Sequence, residues 1–594
     1  MDAKTQYARR LEDRLRLVAA KERLHRSVGT YKLATIVLGL VLAWLSLHND
    51  FFSPFWLIAP AALYTGLAIR HEVILRGRTL AQRAADFYVR GIARIEDRWA
   101  GTGDAGERYR NPEHVYADDL DLFGRASLFE LLCTARTPMG KDRLAGWLLK
   151  PSVAETILER QTFVAELREK LDLREMLAAI GEELGARLQP ESLIRWAESV
   201  PRLRNSALWW LAGAFSAATL ATIVYGFVAL VAWPFFAVLA LELVFWHMLN
   251  QTAVEVADGI ESNAEGLLLF AAVLKRFERE QYQSARLREL ASALHGEKQS
   301  PPSRAVRHLV QIVYWVDART SLLAHLSNLP FLYNIHLGFA AESWRRHWGK
   351  HLRAWVDTVA EMEALLAVGG YSYEHPEDPF PEFAAEPGAM LCGEELGHPL
   401  IPVAQCVRNS VHIGKETCLL LVSGSNMSGK STLLRAVGIN TVLAMAGAPI
   451  RGKSLRLTPL ALGTSIRTTD SLQEGRSAFF AEILRIRQVF QMLDGRDKLL
   501  FLFDELLEGT NSKDRRIGAD GLMQAFVDRG AIGIVTTHDL ALTEITESMS
   551  GKARNAHFQD YVENGRMRFD YKLREGVVQK SNALELMRLV GLRV

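Results

Sequence analysis

The chain has 594 residues, enough for several domains, with Lys plus Arg at 70 against Asp plus Glu at 68. That balance gives no global electrostatic case for a nucleic-acid partner. Cys133, Cys392, Cys406 and Cys418 lie far apart without metal-ligand spacing, which excludes a disulfide scaffold and suits reduced thiols in a cytosolic compartment.

Residues 1–30 carry Lys4, Arg9, Arg10, Arg14, Arg16, Lys21, Arg23 and Arg26, too many charges for a secretion signal. Leu11, Leu15 and Val18 recur at helical spacing, so this basic helix is expected to lie on an anionic membrane face, to pack on another helix, or to lead solvated into the first apolar segment. Between Lys32 and Arg70 the only charged residue is Asp50. Leu33–Leu47 and Phe51–Ile69, turning near His48-Asn49, therefore predict a transmembrane hairpin over 31–70.

A helical linker is expected over 71–113, ending in GTGDAGE, and a helical region over 114–204. Ala207–Leu241 has no charged residue and is too long for one span; it predicts a second hairpin within 205–248, turning near Tyr225-Gly226. Trp209, Trp210, Trp233 and Trp246 fall near segment ends, as interfacial belts do. The two hairpins imply four spans. The basic N-terminus places both chain ends in the cytoplasm of a multi-pass protein of the inner or plasma membrane.

Long helices are expected over 249–370, broken at GEKQSPPS. Trp344, Trp348 and Trp355 share one helical face within an arginine-rich stretch, the pattern of a packed stripe with cations opposite rather than of a nucleic-acid surface. A proline- and acid-rich linker, 371–387, separates these helices from a C-terminal domain, 388–594.

That domain carries the chemistry. Leu419–Val422 reads as a short buried strand, and helical periodicity starts at Lys430. Between them, Gly424, Ser425, Asn426, Met427, Ser428, Gly429, Lys430 and Ser431, with Thr432 behind, fit a phosphate-binding loop. The glycines let successive N–H groups curl around an anion, and the helix adds its positive end. Lys430 would reach the terminal phosphates of ATP, and the Ser431 hydroxyl would sit on Mg2+, which needs few protein oxygens. A second apolar run, Leu499–Phe503, ends in Asp504-Glu505; Asp504 would hold the metal and Glu505 would polarise the attacking water. A third run, Ile532–Thr536, delivers His538 toward the γ-phosphate.

The succession SNMSGKSTLLR, TDSLQEGRSAFFAE, FLFDELLEGTNS and IVTTHDLALTEI resembles the ATPase domain of the MutS mismatch-repair family. The tail FDYKLREGVVQKSNALELMRLVGL resembles its closing strands and last helix, GHPLIP its beginning, and DLFGRASLFELLCTARTPMGKDRLAGWLLKPS the start of the MutS core. The likeness covers most of 114–200 and nearly all of 388–594. It implies a C-terminal α/β P-loop ATPase domain of ABC/MutS type behind an all-α core and lever region, the latter interrupted by the two hairpins. It also implies a homodimer with a composite site, in which Ser477 of Gly475-Arg476-Ser477 reaches the partner's γ-phosphate. Glu474 and Ala478 depart from the serine and threonine common in the family.

The family's mismatch-reading domain with its Phe-x-Glu motif has no counterpart in the first hundred residues, and the second hairpin falls where the core would run toward its DNA clamp. The expectation is thus a membrane-anchored, dimeric, MutS-like ATPase without mismatch reading, whose levers move a DNA or protein partner. The alternative is the ATPase engine of a membrane transport or remodelling complex. Against it, the gap between phosphate loop and acidic strand is short and holds SLQEGRS rather than a transporter motif.

Overall fold

The computed structural model describes residues 2–48, 53–260, 264–293, 301–467, 478–495, 497–549, 551–563 and 566–578. The helix Ala3–His48 runs antiparallel to Ile58–Ile95: Tyr7 packs at Gly91, His25 stacks on His71, and Gly39 faces Pro60. A Cβ on Gly91 would stand 2.5 Å from the Tyr7 ring, so glycine is what allows the two helices to close there. At that end the pair docks on the core. Tyr7 donates to Glu374, which Arg94 grips with two hydrogen bonds of 2.7 and 2.6 Å.

Among the described residues three helices, not four, are long and apolar enough to cross a membrane: Ala3–His48, Ser206–Ala229 and Trp233–Asp258. The fourth expected span, Phe51–Ile69, is not among them. The run Phe51–Ile69 is not one helix: Pro54–Leu57 forms a 3-10 turn, and the α-helix begins only at Ile58. From there to the first charge, Arg70, lie twelve residues, or about 18 Å of helix, well short of a roughly 30 Å hydrocarbon core. The second hairpin turns later than expected. Tyr225 and Gly226 lie inside its first helix; the chain reverses at Leu230, in the left-handed region at φ 56°, and Pro234 opens the next helix.

The helical core is organised around one 42-residue helix, Tyr333–Glu374, packed against Pro138–Leu149, Ala154–Leu167, Pro190–Glu198, Trp233–Asp258 and Pro302–Asp317. Its tryptophans serve this packing. Trp344 and Trp355 are buried, and Trp344 Nε1 donates to Ala305 O at 2.8 Å. The helix continues through residues 371–374 of the expected linker. Near its end Tyr371 Oη donates to Asp378 at 3.0 Å, and Arg451 lies 3.1 Å from the same carboxylate, tying the long helix to the C-terminal domain.

That domain contains two sheets. The smaller has the order β1 (Glu382–Phe383), β5 (Ser454–Leu457), β2 (Leu391–Leu396), β3 (Asn409–Ile413). The larger comprises β4 (Leu419–Ser423), β6 (Leu460–Ser465), β7 (Lys498–Phe503), β8 (Ile532–Thr537), β9 (Ala553–Glu563) and β10 (Arg566–Glu575), in the order β10-β9-β4-β8-β7-β6. All its pairings are parallel except β9 with β10. Strands β4, β6 and β8 are buried throughout, the continuous apolar pattern of a parallel sheet covered on both faces. Register pairs Ser423 with Thr537 and Phe503 with both Val535 and Ser465, so four C-terminal ends meet along one edge. Ligands bind at such an edge in open α/β sheets.

Candidate functional site

The loop after β4 is held in shape by close approaches. A Cβ on Gly424 would stand 2.8 Å from Ser428 Oγ, and Gly429 at φ 109° reverses the chain into the helix Lys430–Ala446. Met427 also takes a left-handed conformation, φ 68°, with its side chain in solvent. Lys430 is buried and folds back on the loop, donating to Gly424 O at 2.8 Å and Ser425 O at 3.0 Å. Burial lowers its pKa from the usual lysine range, against the raising effect of Glu505 and Asp504.

The acidic end of β7 sits opposite. Asp504 N donates to Ser465 O at 2.9 Å. Thr536 Oγ1 donates to Asp504 Oδ1 and accepts from Glu505 N at 3.1 Å, so one hydroxyl on β8 holds the Asp504 carboxylate and the Glu505 backbone. Glu505 and Leu507 hold left-handed conformations at φ 50° and 59°, and Glu482 accepts from Leu507 N at 2.7 Å. Arg515 grips the carbonyls of Leu507, Glu508 and Thr510. This many contacts over-determine the strained turn, as functional turns require. His538 Nδ1 lies 3.7 Å from Glu505 Oε1, and one donor atom each of Glu505, Glu508 and His538 falls within 4.8 Å of the others.

Loop and carboxylates line one cleft of about 1000 Å3. Of the residues expected at the site, Asn426, Met427, Gly429, Lys430, Ser431, Thr432, Asp504 and Glu505 line it; Gly424, Ser425 and Ser428 form the loop beneath, and His538 adjoins through Glu505. Ser477 and the last helix lie outside the described residues.

Sequence reasoning missed the opposite wall, which includes His398, Ile401, Val407, Asn409 and Tyr571. His398 is buried and its pKa is lowered to about 4, chiefly by that burial and further by Arg435; Leu400 N donates to its Nδ1 at 3.2 Å. Asn409 donates to Tyr571 O at 3.0 Å and accepts from Leu573 N at 2.8 Å, clamping β10 over the loop. The only advance signals were that His398 and Ile401 sit in GHPLIP and Tyr571 in FDYKLREG, segments that stand out for likeness rather than for chemistry; Val407 and Asn409 sit in neither.

The buried hydroxyls of Ser425 and Ser428 have no hydrogen-bond partner among the described residues. Orphan donors under a curled backbone, a buried lysine and a carboxylate pair are complementary to a polyphosphate chelating a hard cation. The wall of aliphatic side chains and Tyr571 offers an apolar surface to a flat heterocycle.

Residues 420–593 match the family model described as MutS domain V. Among curated proteins the chain is similar to Endonuclease MutS2 of Thermus thermophilus, 32% identical over 203 residues that make up 33% of this chain and 25% of that protein. It is similar to DNA mismatch repair protein MutS of Streptococcus equi, 32% identical over 196 residues (32% of this chain, 23% of that one). To DNA mismatch repair protein MutS of Geobacillus it is 31% identical over 247 residues (41% and 28%). The chain thus spans about a quarter of the length of the curated relatives it matches.

Proposed function

We propose that this protein is a membrane-anchored ATPase of MutS type that binds and hydrolyses ATP between two facing C-terminal domains of a homodimer. One observation carries the reading: the hydroxyls of Ser425 and Ser428, without a hydrogen-bond partner among the described residues, lie in the loop whose Lys430 reaches to 3.6 Å from Glu505. In this reading the loop N–H groups and Lys430 hold the phosphates, and Ser431 and Asp504 hold Mg2+, which neutralises phosphate charge. Glu505, oriented by Thr536, takes the proton of the attacking water, and His538 contacts the γ-phosphate. Ser477 comes from the partner subunit's copy of the loop.

Motion has a route out of the site. Asp121, before the core helices, pairs with Arg467 after β6 and lies 3.6 Å from Arg435 on the phosphate-loop helix. Asp119 accepts from the backbone of Ile466 and Arg467. Closing the nucleotide cleft would thereby pull on the helical core and, through Glu374, on the membrane helices. DNA, which the names of two of the relatives mention, is the partner to test first; mismatch reading is not part of the proposal.

The test is to express the chain in bacteria, wash the membranes with alkaline carbonate, extract with detergent and measure Mg2+-dependent ATP hydrolysis with and without duplex DNA. The reading expects retention in the membrane pellet, a dimer with ATP, and hydrolysis. Release by carbonate refutes the anchor; absence of hydrolysis refutes the ATPase. Stimulation by lipid vesicles but not DNA transfers the partner from nucleic acid to the membrane.

A further inference from the structure

A second cleft, also about 1000 Å3, opens in the helical core between Pro138–Leu149, Pro190–Glu198 and the long helix Tyr333–Glu374. Most of its charges are spoken for: Arg108 pairs with Asp142, Arg143 with Asp357, and Arg353 with Glu198. Lys150 and Arg195, both exposed, have no ion-pair partner among the described residues, and neither has Glu191, the remaining carboxylate of the lining.

Arg160 also lines the cleft. It is only 8% exposed, stacks on the Trp147 ring at 4.0 Å, and donates from Nη1 to Ser152 Oγ at 2.8 Å. Among the described residues its Nε is buried without a hydrogen bond, with a Glu361 carboxylate oxygen 3.9 Å away. Trp147 Nε1 is likewise buried and unpartnered. Burial pulls Arg160 down to about 10, so it stays charged at neutral pH. A desolvated cation with an unmade hydrogen bond is costly unless a ligand supplies the acceptor.

Arg160 also touches the nucleotide machinery. Gly447, which ends the phosphate-loop helix, leaves no room for a Cβ: one would stand 2.7 Å from Arg160 Cβ. That 17-residue helix, about 25 Å long, carries the phosphate loop at its other end.

We propose that this cleft binds a small, multiply charged phosphate compound through Arg160, Lys150 and Arg195, and that its occupancy shifts nucleotide affinity through the helix Lys430–Ala446. A phosphate group matches the arrangement because it presents several acceptor oxygens and at least two charges to the buried Arg160 guanidinium and to the exposed cations of Lys150 and Arg195. The cleft is of small-molecule size.

The test is calorimetric titration of pyrophosphate into the detergent-extracted full chain with the nucleotide cleft saturated by a non-hydrolysable ATP analogue. A parallel titration of Lys430→Ala without nucleotide reads the second cleft even if the ATP reading fails. Saturable binding is expected in both, weakened about tenfold or more by Lys150→Glu with Arg195→Glu, surface changes that leave the fold intact. Pyrophosphate should also change the affinity for the analogue about threefold or more in the wild type and not in the double variant. Absence of saturable binding, or equal binding by the double variant, overturns the proposal. So does duplex DNA binding lost in the double variant with no pyrophosphate binding at all, which would assign the cleft to nucleic acid.

Discussion

Lys430 Nζ lies 3.6 Å from Glu505 Oε1 while donating to the carbonyls of Gly424 and Ser425. The cation that would meet the phosphates and the carboxylate that would activate water are thus held against each other across the cleft. A phosphate chain placed between them would take over the lysine and free the carboxylate. Lys430→Ala removes the cation and leaves the carboxylate unopposed. It should weaken MgATP binding about a hundredfold or more, since charge-assisted phosphate contacts are the strong ones. Equilibrium binding of a fluorescent ATP analogue, with unchanged far-ultraviolet circular dichroism, checks this.

The junction between the N-terminal helix pair, Ala3–His48 with Ile58–Ile95, and the core has its own test. Glu374 is fully buried and holds both Arg94 and Tyr7. Glu374→Gln leaves Arg94 charged and unpaired in the interior and should cost about 3–5 kcal/mol. Thermal unfolding of the detergent-solubilised chain should show a large fall in midpoint, mostly recovered in Arg94→Met with Glu374→Met.

Acid should weaken the domain through His398. The unfolded histidine titrates near the ordinary value of 6.5, whereas the buried one stays neutral down to about 4. The unfolded chain therefore binds the extra proton between these values. The contribution is complete above the upper value and is lost as pH falls through the window toward the lower one. Between about pH 7.5 and pH 5 the loss from this group is roughly 2 kcal/mol. His398→Asn keeps a side-chain acceptor for Leu400 N without the titration, so its stability should fall less over that range than the wild type's.

Much of the site was legible because the sheet is buried on both faces. Its strands read as unbroken apolar runs, and polar residues stand out where each run ends, as at Asp504-Glu505 and His538. The wall opposite was not, because Tyr571 reaches the cleft through strand order and His398 comes from the loop after a strand of the smaller sheet. β10 lies beside β9 and next but one to β4, yet about 150 residues separate Gly424 from Tyr571 in sequence. Glu482 reads as an ordinary helix residue; only the left-handed turn at Leu507 brings a backbone N–H to it. Hydropathy alone gave one more candidate span than the helices support, because it sees Phe51–Ile69 as one run and is blind to the helix beginning only at Ile58.

The central claim, triphosphate hydrolysis with Glu505 as base, is tested most directly by single-turnover hydrolysis in Glu505→Gln beside its MgATP affinity. The account predicts a hydrolysis rate lower by about a hundredfold to a thousandfold, because glutamine keeps the shape but takes no proton, with affinity for MgATP retained or tightened. Hydrolysis by this variant at the wild-type rate would contradict it.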